Sequence, residues 1–114
     1  QLSRSAYRDY SAPELEVETE RPFAVRDGDR LLVGTIDRLV TMRRNDRIVA
    51  ADILDFKTDE LAADDEFALH AKAVYYRPQL QAYRSAVSIM LSIPGKAVTA
   101  RLLFVSQGKI VSVE

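Results

Sequence analysis

The stretch "VGTIDRLVTMRRNDRIVAADILDFKT", Val33 to Thr58, decides the fold because it indicates two β-strands joined by a short polar turn. Near the end of the second strand, Asp55 and Lys57 are separated by one residue. A strand sends alternate side chains to opposite faces, so both charges lie on one face and Phe56 lies on the other. We expect the charged face to carry a functional site.

The length of the turn decides whether Asp37 joins those charges. A three-residue turn centred on Asp46 places Asp37 directly opposite Asp55. A two-residue turn moves Asp37 to the other face, unless a bulge restores the register. Facing carboxylates about 5 Å apart repel each other unless a cation lies between them. The first register therefore predicts a magnesium or manganese site, with Lys57 beside it to orient or help deprotonate an attacking water.

Strand-like patterns surround this pair of charges. Alternating apolar and acidic residues predict a first strand over about Glu14 to Val25, and the Asp-Gly pair that follows predicts a hairpin turn. The second strand is predicted over Leu31 to Met42 and the third over Arg47 to Thr58. Three consecutive antiparallel strands form a meander.

The second half of the chain adds a helix and further strands. The acidic segment Asp59 to Ala73 predicts a loop with a helical turn. Helical spacing then predicts one helix over about Arg77 to Ser92, because Pro78 is tolerated in a first turn. From Ala97 onward we predict a fourth strand and a fifth after the turn at Gln107. The fold class is therefore α/β, with a mixed, mostly antiparallel sheet flanked by helices.

Composition limits the classes of protein. The chain has 114 residues, 47% of them hydrophobic, and a net charge of −1, as expected for one globular domain without a general affinity for nucleic acid. The absence of cysteine excludes disulfides and iron-sulfur clusters. We find no apolar run of about 18 residues, so we expect a cytoplasmic protein without membrane attachment. The chain starts without methionine and ends in a strand-like pattern, so we expect a fragment of a longer multidomain protein.

Four motifs in order resemble a known family. They are "ERPF" at Glu20 to Phe23, "VGTIDRLV", "ILDFKTD" and "YYRPQLQAY". Together they resemble the RecB-type nuclease domains of the PD-(D/E)XK superfamily, especially those at the C-terminus of bacterial AddA and RecB helicase-nucleases of the UvrD/Rep type. The resemblance covers about residues 16 to 106. It implies a restriction-endonuclease-like core over residues 1–114, truncated at its N-terminus.

The resemblance also implies the metal ligands. They would be the carboxylates of Asp37 and Asp55 and the backbone carbonyl of Phe56, holding Mg²⁺ or Mn²⁺. Family members carry a further histidine on a helix before the first strand, and the upstream segment offers none. His70, the single histidine, does not match that motif.

Three further residues would complete the catalytic set. The resemblance makes Lys57 the catalytic lysine, and it makes Gln79 and Tyr83 the pair of the Q-x-x-x-Y helix motif near the substrate. Their spacing independently places Gln79 and Tyr83 on one helix face. Tyr83 could equally be a packing residue, and Glu20 is considered as an auxiliary site residue.

The implied function is magnesium-dependent hydrolysis of DNA, with an exonuclease favoured over an endonuclease. The domain would serve a helicase-nuclease in double-strand break processing and recombinational repair. Its partners would be single-stranded DNA or duplex ends, a helicase domain in the same chain and a second helicase-nuclease subunit. No G-x-x-x-x-G-K-[ST] motif is present, so any ATPase would lie elsewhere.

Two alternatives remain open at this point. In one, a nuclease-like module binds DNA or a partner subunit without catalysis. In the other, the domain is structural and the motif matches are accidental, with Asp55 and Lys57 forming a surface ion pair.

Overall fold

The computed structural model describes residues 12–59 and 65–113, which form one five-stranded sheet and one α-helix. The elements in chain order are β1 (Glu14–Asp27), β2 (Arg30–Arg44), β3 (Arg47–Lys57), α1 (Glu66–Leu91), β4 (Val98–Phe104) and β5 (Lys109–Val113). A short 3₁₀ turn, Gly95–Ala97, precedes β4. Among the described residues, no helix combines the length and apolar character that crossing a bilayer requires.

The sheet is mixed, and its strands follow one another in sequence order. β1, β2 and β3 form the predicted antiparallel meander. β4 pairs in parallel with β3, and β5 pairs antiparallel with β4. A parallel pair needs a crossover connection, and α1 supplies it. The predicted α/β fold with a mixed, mostly antiparallel sheet is confirmed, although a single helix covers the sheet in the described part of the chain.

The helix starts earlier than the sequence predicts. It begins at Glu66 rather than Arg77, after Asp65, whose side chain accepts a hydrogen bond from the Ala68 N–H at 2.9 Å. The predicted loop is therefore wrong from Glu66 onward, and residues 60–64 lie outside the described part. Pro78 lies within the helix, where it removes one hydrogen bond to the Val74 carbonyl. Both residues are exposed, so water can replace the missing donor.

The hairpin between β2 and β3 has the predicted register but a different turn. Arg44 pairs with Arg47, which leaves a two-residue turn of Asn45 and Asp46, both with positive φ. Of the two turn lengths considered from the sequence, the structure has the shorter one. A register shift follows, in which β3 contributes one extra residue, Val49. This bulge restores the register that the longer turn would have produced.

The hydrophobic core lies between α1 and one face of the sheet. Its largest fully buried side chains come from the helix and three strands: Phe104, Ile36, Leu39, Ile53, Leu80, Leu102, Val87 and Val98. Displacing α1 would return many of these side chains to water, at a cost of about 1.5–3 kcal/mol for each large one. The core therefore fixes the position of α1 over the sheet.

Gly34 allows a close approach between β2 and α1. A Cβ atom at this position would lie 2.9 Å from Cζ of Phe23 and 3.0 Å from Cε1 of Tyr83. These two rings meet edge to face, with centroids 5.2 Å apart. The missing side chain at Gly34 leaves the space that both rings occupy.

We expect Gly34→Ala to lower the free energy of unfolding by about 1–3 kcal/mol, because the new methyl group overlaps two packed rings. Chemical denaturation followed by circular dichroism measures the change. Gly95→Ala is the matched control, since a Cβ there meets no heavy atom within 4 Å. Equal losses in the two variants would contradict the steric explanation.

Candidate active site

Asp37 and Asp55 meet at the end of the β2–β3 ladder. The last ladder pair joins Arg38 to Leu54, so the next step of the same register brings Asp37 to Asp55. Asp37 adds to the rise in the pKa of the Asp55 carboxyl, as expected for a neighbouring carboxyl group. Asp37 Oδ2 also accepts a hydrogen bond from the Phe56 N–H at 2.8 Å. The structure thus brings together the two aspartates that the sequence placed opposite each other.

A backbone distortion lies beside Asp37. The β1–β2 pairing omits the facing residues Glu20 and Asp37, and Glu20 has a φ of 51°, which is uncommon for a residue with a side chain. On β2, both Ile36 and Leu39 are buried, so the alternation of faces changes between them. Asp37 precedes Leu39 by two residues, so it lies on the buried face with Leu39. The sequence singled out Glu20 as an auxiliary residue but gave no signal for this distortion.

Lys57 lies on the same face as Asp55. Its Nζ is 2.9 Å from Asp55 Oδ2, and its side chain is only 16% exposed. The ammonium also donates a hydrogen bond to Gln79 Oε1 at 3.0 Å. Phe56, by contrast, is 42% exposed. The alternation inferred from the sequence therefore holds at these three strand residues.

The helix motif lies against this cluster. Gln79 contacts Lys57 through its carbonyl oxygen, and its Nε2 donates a hydrogen bond to the Tyr83 hydroxyl at 3.3 Å. Tyr83 is half-buried and packs against Phe23. Tyr83 is thus both a packing residue and part of the polar chain that reaches Lys57. The catalytic roles of Gln79 and Tyr83 remain predictions.

Sequence reasoning missed Tyr76, which also lies at the site. The Lys57 ammonium is 4.1 Å from the centroid of the Tyr76 ring. Tyr76 precedes Gln79 by three residues, so the two share a helix face. The three-residue spacing of Tyr76 and Gln79 is visible in the sequence, but the predicted helix began after Tyr76. His70 lies exposed near the start of α1.

The pKa of the Asp55 carboxyl depends on its burial and on the charged groups beside it. Burial raises the pKa of the Asp55 carboxyl, and the neighbouring Asp37 raises it further. The Lys57 ammonium acts in the opposite direction but does not cancel these effects. A cation bound between the carboxylates would relieve their repulsion.

The donor set fits a hard divalent ion. Asp55 is 6% exposed, and its Oδ2 pairs with the Lys57 ammonium at 2.9 Å. Carboxylate and carbonyl oxygens suit Mg²⁺ and Mn²⁺. Within residues 12–59 and 65–113, no group of three or more His, Cys, Asp or Glu side chains could hold a metal. Asp37 and Asp55 would therefore need the Phe56 carbonyl, water or substrate to complete the coordination.

A comparison with family sequence models identifies the superfamily. The model of the PD-(D/E)XK nuclease superfamily matches residues 2–113. The chain belongs to the PD-(D/E)XK nuclease superfamily. Nucleases of this superfamily generally use divalent metal ions. A comparison with curated proteins returned no match.

The raised pKa of Asp55 predicts a pH-dependent effect of Asp55→Asn. The folded state holds the Asp55 proton more tightly than the unfolded state, in which the pKa is 3.8. The resulting stabilisation is complete below that pKa and is lost as the pH rises through the folded value. In EDTA at about pH 7.5, the neutral variant should therefore unfold at a higher temperature than the wild type, with the difference shrinking under acidic conditions. Thermal denaturation across pH measures this.

Magnesium provides the second arm of the same measurement. Binding to the folded state should raise the unfolding temperature of the wild type and leave Asp55→Asn unchanged. Asp52→Asn is the control, because Asp52 lies on the same strand but pairs with Arg101 at 2.6 Å. It should keep the response to magnesium. An equal response in Asp55→Asn would contradict the assignment of Asp55 as a ligand.

Proposed function

We propose that this domain hydrolyses phosphodiester bonds of DNA with the help of Mg²⁺ or Mn²⁺. The observation that carries the proposal is the meeting of Asp37, Asp55 and Lys57 in one partly buried cluster. Like charges are rarely placed together away from water unless a cation is bound between them. Membership of a nuclease superfamily supports the same chemistry.

The residues divide into a metal-holding group and a substrate-facing group. Asp37, Asp55 and the carbonyl of Phe56 would hold the ion. When bound, a divalent ion polarises a phosphate oxygen and lowers the pKa of a coordinated water. Lys57 lies beside the carboxylates, where its ammonium can orient the attacking water and donate a hydrogen bond to a phosphate oxygen as negative charge develops.

Gln79 and Tyr83 would keep that lysine in place. The Gln79 carbonyl oxygen accepts one N–H of the ammonium, and the Gln79 amide is in turn hydrogen-bonded to Tyr83. Because Tyr83 packs against Phe23, the chain of hydrogen bonds ends in the hydrophobic core. This support would limit the positions that the flexible lysine can adopt.

We further propose that the domain is the nuclease module of a helicase-nuclease. Support comes from the order of the motifs "VGTIDRLV", "ILDFKTD" and "YYRPQLQAY", which resemble those of RecB and AddA. On this proposal the chain is one cytoplasmic nuclease domain of a longer protein. It would act as an exonuclease on single-stranded DNA or duplex ends, during break processing and recombinational repair, with a helicase domain and a second subunit as partners.

One observation favours the alternative of an inactive module that binds DNA or a partner. The described residues supply two carboxylate side chains to the site and no group of three ligating side chains. A site with so few protein ligands could bind a metal too weakly for catalysis. The two functions differ in whether bound DNA is cleaved.

We expect the wild-type chain to cleave end-labelled single-stranded DNA only when magnesium or manganese is present. Asp55→Asn and Lys57→Met should each reduce the rate at least about 100-fold, because each removes a charge that acts on the reacting phosphate. The rate of appearance of shorter labelled products, resolved on a gel, measures the effect. The products also distinguish stepwise shortening from internal cleavage.

Two control variants test whether the loss of any charged side chain lowers the cleavage rate. Asp52→Asn alters a carboxylate on the same strand, and Lys96→Met alters an exposed lysine next to β4. Both should cleave at close to the wild-type rate. DNA binding without cleavage in the wild type would instead support the inactive module, and cleavage that persists in EDTA would exclude the metal-dependent mechanism.

A further inference from the structure

The ammonium of Lys57 has a third neighbour besides Asp55 and Gln79. Its Nζ lies 4.1 Å from the centroid of the Tyr76 ring, within the range of a cation–π interaction. Asp55 approaches from β3, whereas Tyr76 and Gln79 approach from one face of α1. The lysine is therefore enclosed by one carboxylate, one amide oxygen and one aromatic face.

The Tyr76 ring is itself held in place. Its hydroxyl donates to Asp59, with oxygen distances of 2.9 and 3.1 Å to Oδ1 and Oδ2. Lys72 pairs with the same carboxylate at 3.1 Å. The backbone carbonyl of Asp59 accepts a hydrogen bond from Gln107 Nε2 at 3.1 Å. Asp59 thus joins the segment after β3 to α1 and to the turn before β5.

The protonation state of the hydroxyl suits this arrangement. Burial and the neighbouring Asp59 carboxylate raise the pKa of Tyr76 to about 12. The hydroxyl therefore remains a donor to Asp59 throughout the neutral range.

A lysine needs such support more than most catalytic groups do. Its side chain has four flexible bonds and loses about 2 kcal/mol of conformational freedom when it is fixed. Asp55 alone would attract the ammonium but could not fix its direction, since a carboxylate accepts from several angles. An aromatic face on another side limits the ammonium to a small volume.

We propose that Tyr76 is a positioning residue for Lys57, and that the Tyr76 ring, fixed by Asp59, holds the lysine ammonium in its reactive position. This inference rests on the proposed nuclease function. Tyr76 does not need to touch DNA or metal, and its effect reaches the reaction through Lys57.

Two substitutions separate the ring from the hydroxyl. Tyr76→Phe keeps the aromatic face and loses the bond to Asp59, whereas Tyr76→Leu keeps apolar volume and loses the face. Steady-state cleavage of the end-labelled single-stranded DNA should show kcat lowered about tenfold or more in Tyr76→Leu. Its KM should stay within about twofold of the wild type. Tyr76→Phe should lose less kcat than Tyr76→Leu but should remain below the wild type, because the ring remains while its bond to Asp59 is lost.

The contact can also be observed without catalysis. In a protein NMR spectrum, the ε-methylene protons of Lys57 should be shifted upfield by the ring in the wild type and in Tyr76→Phe, and the shift should disappear in Tyr76→Leu. Phe67→Leu is the control, because Phe67 lies on the same helix and is 83% exposed. It should change neither kcat nor the Lys57 signals.

Each outcome has a distinct meaning. An active wild type with unchanged kcat in Tyr76→Leu, or with equal losses in the Leu and Phe variants, would overturn the positioning role. A wild type that does not cleave DNA would overturn the proposed function itself. Thermal denaturation checks folding, and if Tyr76→Leu is unfolded, Tyr76→Met replaces it with the same expected loss and the same criteria.

Discussion

Burial of the Asp55 carboxyl beside Asp37 is the constraint on which the candidate site depends. The two carboxyl groups lie side by side, and the pKa of Asp55 is raised chiefly because it is almost fully buried, although the Lys57 ammonium opposes the rise. The sheet keeps them together because its register is set by backbone pairing and by a core that does not involve either charge. Buried neighbours such as Ile36 and Ile53 hold the two strands whatever the state of the carboxylates. Stability supplied by the core thus maintains an arrangement that is locally unfavourable.

The helix α1 supplies further contacts to Lys57, which lies on β3. Its buried side, which includes Leu80 and Val87, packs on the sheet, and its neighbouring face carries the residues that meet Lys57. The lysine therefore lies between two elements whose relative position is fixed by hydrophobic packing. The position of its ammonium thus depends on the packing of the core.

The sequence predicted the features that depend on periodicity. Alternation on β3 identified Asp55 and Lys57 as residues of one face, and the spacing of Gln79 and Tyr83 identified one side of a helix. It could not distinguish two local solutions that give the same register, since a two-residue turn followed by a bulge at Val49 is equivalent to a three-residue turn. The prediction of the helix start at Arg77 was wrong, because an exposed proline can be tolerated inside a long helix when water hydrogen-bonds to the freed carbonyl. That error left Tyr76 outside the predicted helix and hid its contact with Lys57.

The bulge at Val49 also determines which changes of chain length this hairpin can accept. Surface turns usually accept insertions and deletions, because they lie outside the core. Here the turn and the bulge jointly set the phase of β3, so losing one residue from either would rotate Asp55 and Lys57 to the opposite side of the sheet. Length changes of two residues would preserve the phase. The number of residues between Asp37 and Asp55 is therefore a property of the candidate site itself.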